Sequence, residues 1–231
     1  MPDTPGADLL AIQAVEPITS GMLVGLGTGR AATRGIHALA RRVNDEGLRV
    51  ECVATSESSA ALARELGLTV LAFADVARVD YLFDGADEVS PDLAMLKGRG
   101  GAMTREKIVA HASDKRVYLV DEGKLVSRIG EKFPLPVEVL PFAIASVRAA
   151  LRDIGLDGPI RTREDGREYH TDNGFLVIDA PIPQGSDARR LNDDLMRIDG
   201  VLGHGLFLRE ADEVLVESHD RASVRRLTRV R

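Results

Sequence analysis

A single cysteine, Cys52, stands in the whole chain, so an internal disulfide is impossible and no oxidising compartment is required. It lies in an apolar stretch from Val50 to Ala54 and reads as a small core residue rather than a nucleophile. Basic excess is lacking too. Lys and Arg number 30 against 36 Asp and Glu, a net charge of -6, which argues against a nucleic-acid binder. An anionic substrate is not excluded, because a few local donors suffice to hold a phosphate. No run approaches the ~20 apolar residues of a membrane span. The opening Met1-Pro2-Asp3-Thr4-Pro5-Gly6 lacks the basic and apolar segments of a signal peptide, so a cytoplasmic protein is expected. The histidines (His37, His111, His170, His204, His219) show no HExxH-type spacing, and no metal is expected. His204, in Gly203-His204-Gly205, reads as a turn or strand residue. No Gly-x-Ser-x-Gly elbow supports a hydrolase triad.

What is present is ordinary globular composition: 231 residues, 44% hydrophobic and 29% charged, enough for one large domain or two modest ones. The first half alternates short apolar runs with amphipathic segments, the pattern of βαβ units and a parallel sheet. Strands are expected at Met22-Leu23-Val24, Val50 to Ala54, Thr69-Val70-Leu71, Tyr81-Leu82-Phe83 and Val117 to Val120. Helical spacing links Ala32, Ile36, Leu39, Ala40 and Val43. Thr55-Ser56-Glu57 caps a helix over 58–66 that Gly67 stops, and another helix is expected over 102–112. After Phe133-Pro134-Leu135-Pro136 the order becomes strand (137–140), helix (143–154), strand (160–163), strand (175–178), helix (188–198) and strand (202–208). That βαββαβ order is ferredoxin-like. Glu213 to Val216 is expected to return to the first sheet. The fold class is therefore α/β, a Rossmann-like parallel-sheet lobe (1–132 and 209–231) with an inserted ferredoxin-like α+β lobe (133–208). Arg221, Arg225, Arg226, Arg229 and Arg231 fit the solvated face of a terminal helix.

Three polar, glycine-rich loops fall at the carboxyl ends of strands, where open parallel sheets bind ligands. The first, Gly25-Leu26-Gly27-Thr28-Gly29-Arg30, enters a helix whose N–H groups suit an anion. A dinucleotide site fits less well, since Arg30 replaces the third fingerprint glycine and Thr55-Ser56 stands where a ribose-binding acid belongs. The second, Asp84-Gly85-Ala86-Asp87-Glu88, offers paired carboxylates that can exchange protons with a ligand, bind magnesium, or cap a turn. In the third, Lys97 to Lys107, a lysine and Glu106 flank a flexible stretch. A carboxylate that removes a proton beside a carbonyl, with a cation that steadies the oxyanion, suits enolisation. Alternatively, Glu106 complements the helix dipole and Arg105 and Lys107 are surface charges. Lys124 is a further cation after the fifth strand.

Taken in order, these segments resemble the type A ribose 5-phosphate isomerase family. The resemblance also takes in Asp121-Glu122-Gly123-Lys124, Pro136 to Phe142, Thr171-Asp172-Asn173-Gly174 and Gly205-Leu206-Phe207, and so covers nearly the whole chain. It implies interconversion of ribose 5-phosphate and ribulose 5-phosphate through an enediolate, no cofactor, and a homodimer or homotetramer. It implies Glu106 as general base, with Asp84, Asp87 and Lys97 opening the sugar ring and holding hydroxyls and developing charge. Substrate contacts are implied for Thr28, Gly29, Arg30 and Ala31 on the phosphate side, and for Gly85, Ala86, Gly98, Arg99, Gly100 and Lys124.

Three departures stand out. Arg30-Ala31 replace a usual Ser-Thr, no lysine precedes Lys97, and Gly123 stands where serine is common. Arg30 either supplies a bidentate contact to phosphate or points to solvent. The rival readings are an isomerase of another phosphosugar and a sugar-phosphate sensor domain. A sensor of the transcriptional kind needs a helix-turn-helix, for which the roughly 20 residues before Met22 are too few. All of this requires Lys97 and Glu106 to converge.

Overall fold

The computed structural model describes residues 8–229, so the expectations for Met1 to Gly6 and Arg231 lie outside the described residues. Strands in chain order are β1 (Leu23–Leu26), β2 (Glu51–Ala54), β3 (Val79–Gly85), β4 (Glu88–Val89), β5 (Met95–Leu96), β6 (Ser113–Asp121), β7 (Leu135–Val139), β8 (Leu176–Ala180), β9 (Val201–His204), β10 (Leu206–Phe207), β11 (Glu213–Glu217) and β12 (Val224–Thr228). Helices are α1 (Leu9–Val15), α2 (Arg30–Glu46), α3 (Glu57–Glu65), α4 (Met103–His111), α5 (Ile144–Asp153) and α6 (Ala188–Leu195). Among the described residues, no helix is long and apolar enough to cross a membrane.

Two compact units divide the chain. The first takes the residues up to Gly85, Val109–Gly123, and Asp212 onward; the second takes Ala86–Ile108 and Lys124–Ala211. Beside the sequence boundaries, which placed the second lobe at 133–208, this unit also takes 86–108, 124–132 and 209–211. The cause is strand pairing: β10 bonds antiparallel to β5, β5 to β4, and the Val126 N–H reaches the Val89 carbonyl at 3.0 Å.

The first unit is a six-stranded sheet of order β12-β11-β6-β3-β1-β2, parallel except for β12. The return of Glu213 to Val216 to this sheet is as the sequence suggests. Apolar side chains on both faces explain the near-continuous hydrophobic runs of its central strands. One face packs Val24, Leu26, Tyr81 and Phe83 against α1 and α2 through Leu10, Ile36 and Leu39. The other sets Val53, Val79 and Leu82 against Val109 and Ala110. Ser56 caps α3 by accepting the Ser59 N–H, and Gly67 follows with φ 83°. Strand order reverses between β1 and β3, the switch point where such sheets bind ligands.

Several expectations need correction here. Thr69 to Leu71 exchanges hydrogen bonds with Cys52 but forms a single bridge, not a strand, because its run beside β2 is so short. The arginine-rich end is not a helix. Ser218 to Ser223 makes a tight turn, and β12 returns antiparallel to β11 as an edge strand with Arg225 and Arg226 exposed. Helix α1 is not among the expected elements, because at seven residues it is short for a periodic pattern, although Leu10, Ala11, Ala14 and Val15 are buried at helical spacing.

In the second unit β7, β8 and β9 form an antiparallel sheet of order β8-β7-β9. The ferredoxin-like pattern holds, except that the strand expected at 160–163 is reduced to bridges, Ile160 with Ile178 and Thr162 with Glu168. Its core sets Leu135, Val137 and Val139 against Val147 and Leu151 of α5 and Leu191 and Leu195 of α6. The strand expected over 202–208 splits at Gly205. Beyond that point the chain leaves β7 and pairs with β5.

Candidate active site

The first unit builds an anion-compatible loop at its switch point. Asp84, buried near the end of β3, accepts the N–H groups of Thr28 (2.9 Å) and Gly85 (2.7 Å) on one oxygen, which ties the loop after β1 to β3. Glycine is required at position 27, since a Cβ there would lie 2.1 Å from that oxygen. Thr28 Oγ1 meets Thr55 Oγ1 at 2.7 Å and Ser56 Oγ at 2.8 Å, and Ser59 Oγ donates to the Gly27 carbonyl. Thr55-Ser56 thus supports the loop with hydroxyls. Gly29 caps α2 without a side chain, which leaves the first N–H groups of that helix to a ligand. Arg30 is exposed, and Ala31 and Gly85 are half-buried.

The second unit holds the charged centre. The Lys97 ammonium lies 3.2 Å from the Glu106 carboxylate, with side chains only 2% and 6% exposed. The sequence requirement that these two groups converge is met. Lys97 follows β5 and Glu106 sits in the first turn of α4. Glu106 is therefore neither a solvent-facing helix charge nor an isolated acid. A buried ion pair gains little net stability after desolvation, so its presence needs another reason than folding.

Aromatic rings carry the neighbouring cations. The Lys97 and Lys107 ammonium groups lie over the Phe207 ring, 5.6 and 4.9 Å from its centroid. Lys107 also donates to the Leu206 carbonyl at 2.8 Å, so it is not a surface charge. Burial pushes its pKa down to about 8. His204 is driven down to about 3, by burial first and then by the Lys107 charge, and its Nδ1 accepts the Leu206 N–H. Arg99 and Lys124 lie over the Phe133 ring, at 4.3 and 5.3 Å.

Asp87 accepts the Arg99 N–H at 3.0 Å and so touches the loop after Lys97. That loop is pinned from below, with the Gly98 carbonyl taking Arg161 Nη1 and the Gly100 carbonyl taking the Tyr169 hydroxyl. Glu88, next to Asp87, does different work. Its carboxylate accepts four backbone N–H groups, from Gly130, Glu131, Lys132 and Phe133, which fixes the segment that carries the Phe133 ring. Arg105 donates to the Asn173 side chain at 2.8 Å and to the Asp172 carbonyl, which fastens the first turn of α4.

The predicted site residues thus gather in two sets. Thr28, Gly29, Arg30, Ala31, Asp84 and Gly85 belong to the first unit; Ala86, Asp87, Lys97, Gly98, Arg99, Gly100, Glu106 and Lys124 belong to the second. Phe207, Lys107, Phe133, Arg161 and Tyr169 were not assigned to the site by sequence reasoning. Cys52 is fully buried and its thiol is pushed up to about 12 by burial, as fits a core residue. Among the described residues, no three His, Cys, Asp or Glu side chains cluster to hold a metal ion.

Residues 51–221 match the family model for ribose 5-phosphate isomerase A (phosphoriboisomerase A). The ribose-5-phosphate isomerase A of Sphingopyxis alaskensis is 41% identical over 94% of this chain and 94% of its own. The solved ribose 5-phosphate isomerase A of Methanocaldococcus jannaschii superposes with a TM-score of 0.89 at 38% identity, over 95% of this chain and 96% of that one. A D-ribose-5-phosphate isomerase solved in complex with phospho-erythronic acid gives 0.90 at 33% identity, over 95% and 96%.

Proposed function

Because this chain belongs to the ribose 5-phosphate isomerase A family, we propose that Glu106 is the base of its reaction and Lys97 the cation that steadies the charge it creates. The activity is aldose–ketose isomerisation, ribose 5-phosphate to ribulose 5-phosphate and back, in the pentose phosphate pathway. The observation that carries the assignment of roles is the buried contact between Lys97 and Glu106.

The chemistry follows from that contact. An ammonium at 3.2 Å favours the ionised carboxylate despite burial. In the open-chain aldose, Glu106 takes the proton from carbon 2, and the electrons move to the carbonyl oxygen at carbon 1. The enediolate that forms carries a new negative charge, and Lys97 is already charged and positioned to meet it, which is where such groups act most strongly. Glu106 then returns the proton to carbon 1, while the proton of the carbon 2 hydroxyl passes to the carbon 1 oxygen, leaving the ketone at carbon 2 and a hydroxyl at carbon 1. Asp84 and Asp87 have the acid–base character to open the furanose and to hold hydroxyls. We assign the helix start at Thr28 to Ala31 to the phosphate. Phospho-erythronic acid in the solved relative supports this reading, because it joins a carboxylate to a phosphate across a hydroxylated chain. Gly85, Ala86, Gly98, Arg99, Gly100 and Lys124 are read as substrate contacts, and the protein as cytoplasmic and as a homodimer or homotetramer, of which light scattering measures the oligomeric state.

The test is Glu106→Gln. A positioned base contributes roughly 10²–10⁴-fold, so this variant is expected to fold normally and lose at least that factor, about 3–5 kcal/mol of barrier. Near-normal turnover removes Glu106 from the mechanism.

A further inference from the structure

We propose that Phe207 is a positioning residue of the proton-transfer centre, its ring face holding the Lys97 ammonium where it meets the Glu106 carboxylate. The proposal rests on the role of Lys97 given above.

Strand pairing prepares the arrangement. Leu206 lies opposite Leu96, Phe207 lies opposite Met95, and the Lys97 N–H donates to the Gly205 carbonyl at 2.9 Å. Lys97 and Met95 share one face of β5 and its continuation, because side chains alternate along a strand. The position directly across from Lys97 is Gly205, where a Cβ would fall 2.1 Å from the Lys97 carbonyl oxygen. With no side chain there, the lysine stem runs past a bare backbone and brings its ammonium over the next residue on that face, Phe207. The ring is fully buried and cannot turn away toward solvent.

The same ring receives the Lys107 ammonium, which also donates to the Leu206 carbonyl at 2.8 Å. The Lys97 ammonium thus lies between the ring, 5.6 Å from its centroid, and the Glu106 carboxylate at 3.2 Å. A ring face attracts a cation through its quadrupole, and more strongly where water is excluded. Phe207 thus compensates part of the desolvation of Lys97 without neutralising it, which a second carboxylate would do. The charge stays available for the oxyanion.

Fluorinated phenylalanines at position 207 test this, since each fluorine drains the ring face while barely changing its volume. With 4-fluoro-, 3,5-difluoro- and 3,4,5-trifluorophenylalanine, kcat is expected to fall stepwise to about one tenth, with KM within about twofold and the melting temperature flat. Phe207→Leu is expected to fall at least as far. Should that variant fail to fold, the fluorinated series still decides. A flat kcat across the series, or losses that track melting temperature, overturns the proposal. Lys97→Gln, measured alongside, separates the two readings. If it turns over normally, the role of Lys97 fails and Phe207 falls with it. If it is impaired while the series stays flat, only the ring's role fails.

Discussion

Around Thr28 the first unit offers an anion backbone N–H groups and hydroxyls, with Arg30 exposed at the start of α2. Around Lys97 the second unit buries two ammonium groups, a carboxylate and an aromatic ring. The first arrangement draws largely on main-chain N–H groups, which every residue but proline supplies, so side chains at the start of α2 can change. Such a loop can carry Arg30-Ala31 at the start of α2. The second depends on particular charges at particular places, and each of its members has a partner that suffers if it is lost.

Substitutions that break the comparison should therefore hurt unequally. Lys97→Gln removes the developing charge's partner and breaks its ion pair with Glu106, so a kcat loss of about 10²–10³ is expected from steady-state kinetics. Gly27→Ala drives a methyl into the Asp84 carboxylate and should lower stability by about 1–3 kcal/mol in urea unfolding, with a raised KM.

The pH dependence of folding comes next. His204 has a folded pKa of about 3, below its ordinary value of 6.5. Between those limits the unfolded chain binds a proton that the folded imidazole refuses, so stability declines as pH falls from about 6.5 toward 3. His204→Gln should remove that part, on the order of 2 kcal/mol between pH 7 and pH 4.5, read as the difference between the two proteins' urea midpoints. The smallest effect is expected at Arg30. An exposed cation is worth roughly 0.2–1 kcal/mol, so Arg30→Ala should raise KM no more than about fivefold and leave kcat unchanged. A larger loss would mean that the phosphate loop relies on its side chain after all.

The sequence disclosed the groups whose chemistry is local. Glycine loops after apolar runs marked β1 and β3, and a lysine and an acid flanking a flexible stretch marked Lys97 and Glu106. It did not disclose what supports them, because those contacts join residues far apart in the chain. Lys107 looked like one more helix charge until β10 was seen to pair with β5 and bring Phe207 beneath it. Glu88 stands in the loop Asp84-Gly85-Ala86-Asp87-Glu88 as one more acid, yet its carboxylate accepts four main-chain N–H groups more than 40 residues away. The terminal arginines at helical spacing misled for a related reason. An edge strand shows little hydrophobic alternation of its own, and only the turn at Ser218 to Ser223 signals it.

The most direct test follows the proton itself. Ribose 5-phosphate deuterated at carbon 2, incubated with the protein in ordinary water, should lose label to solvent during turnover as the Glu106 carboxyl exchanges. With Glu106→Gln, label loss and isomerisation should fall together by about 10²–10⁴-fold while the sugar phosphate still binds. Washout from the variant at the rate of the unaltered protein would contradict the account.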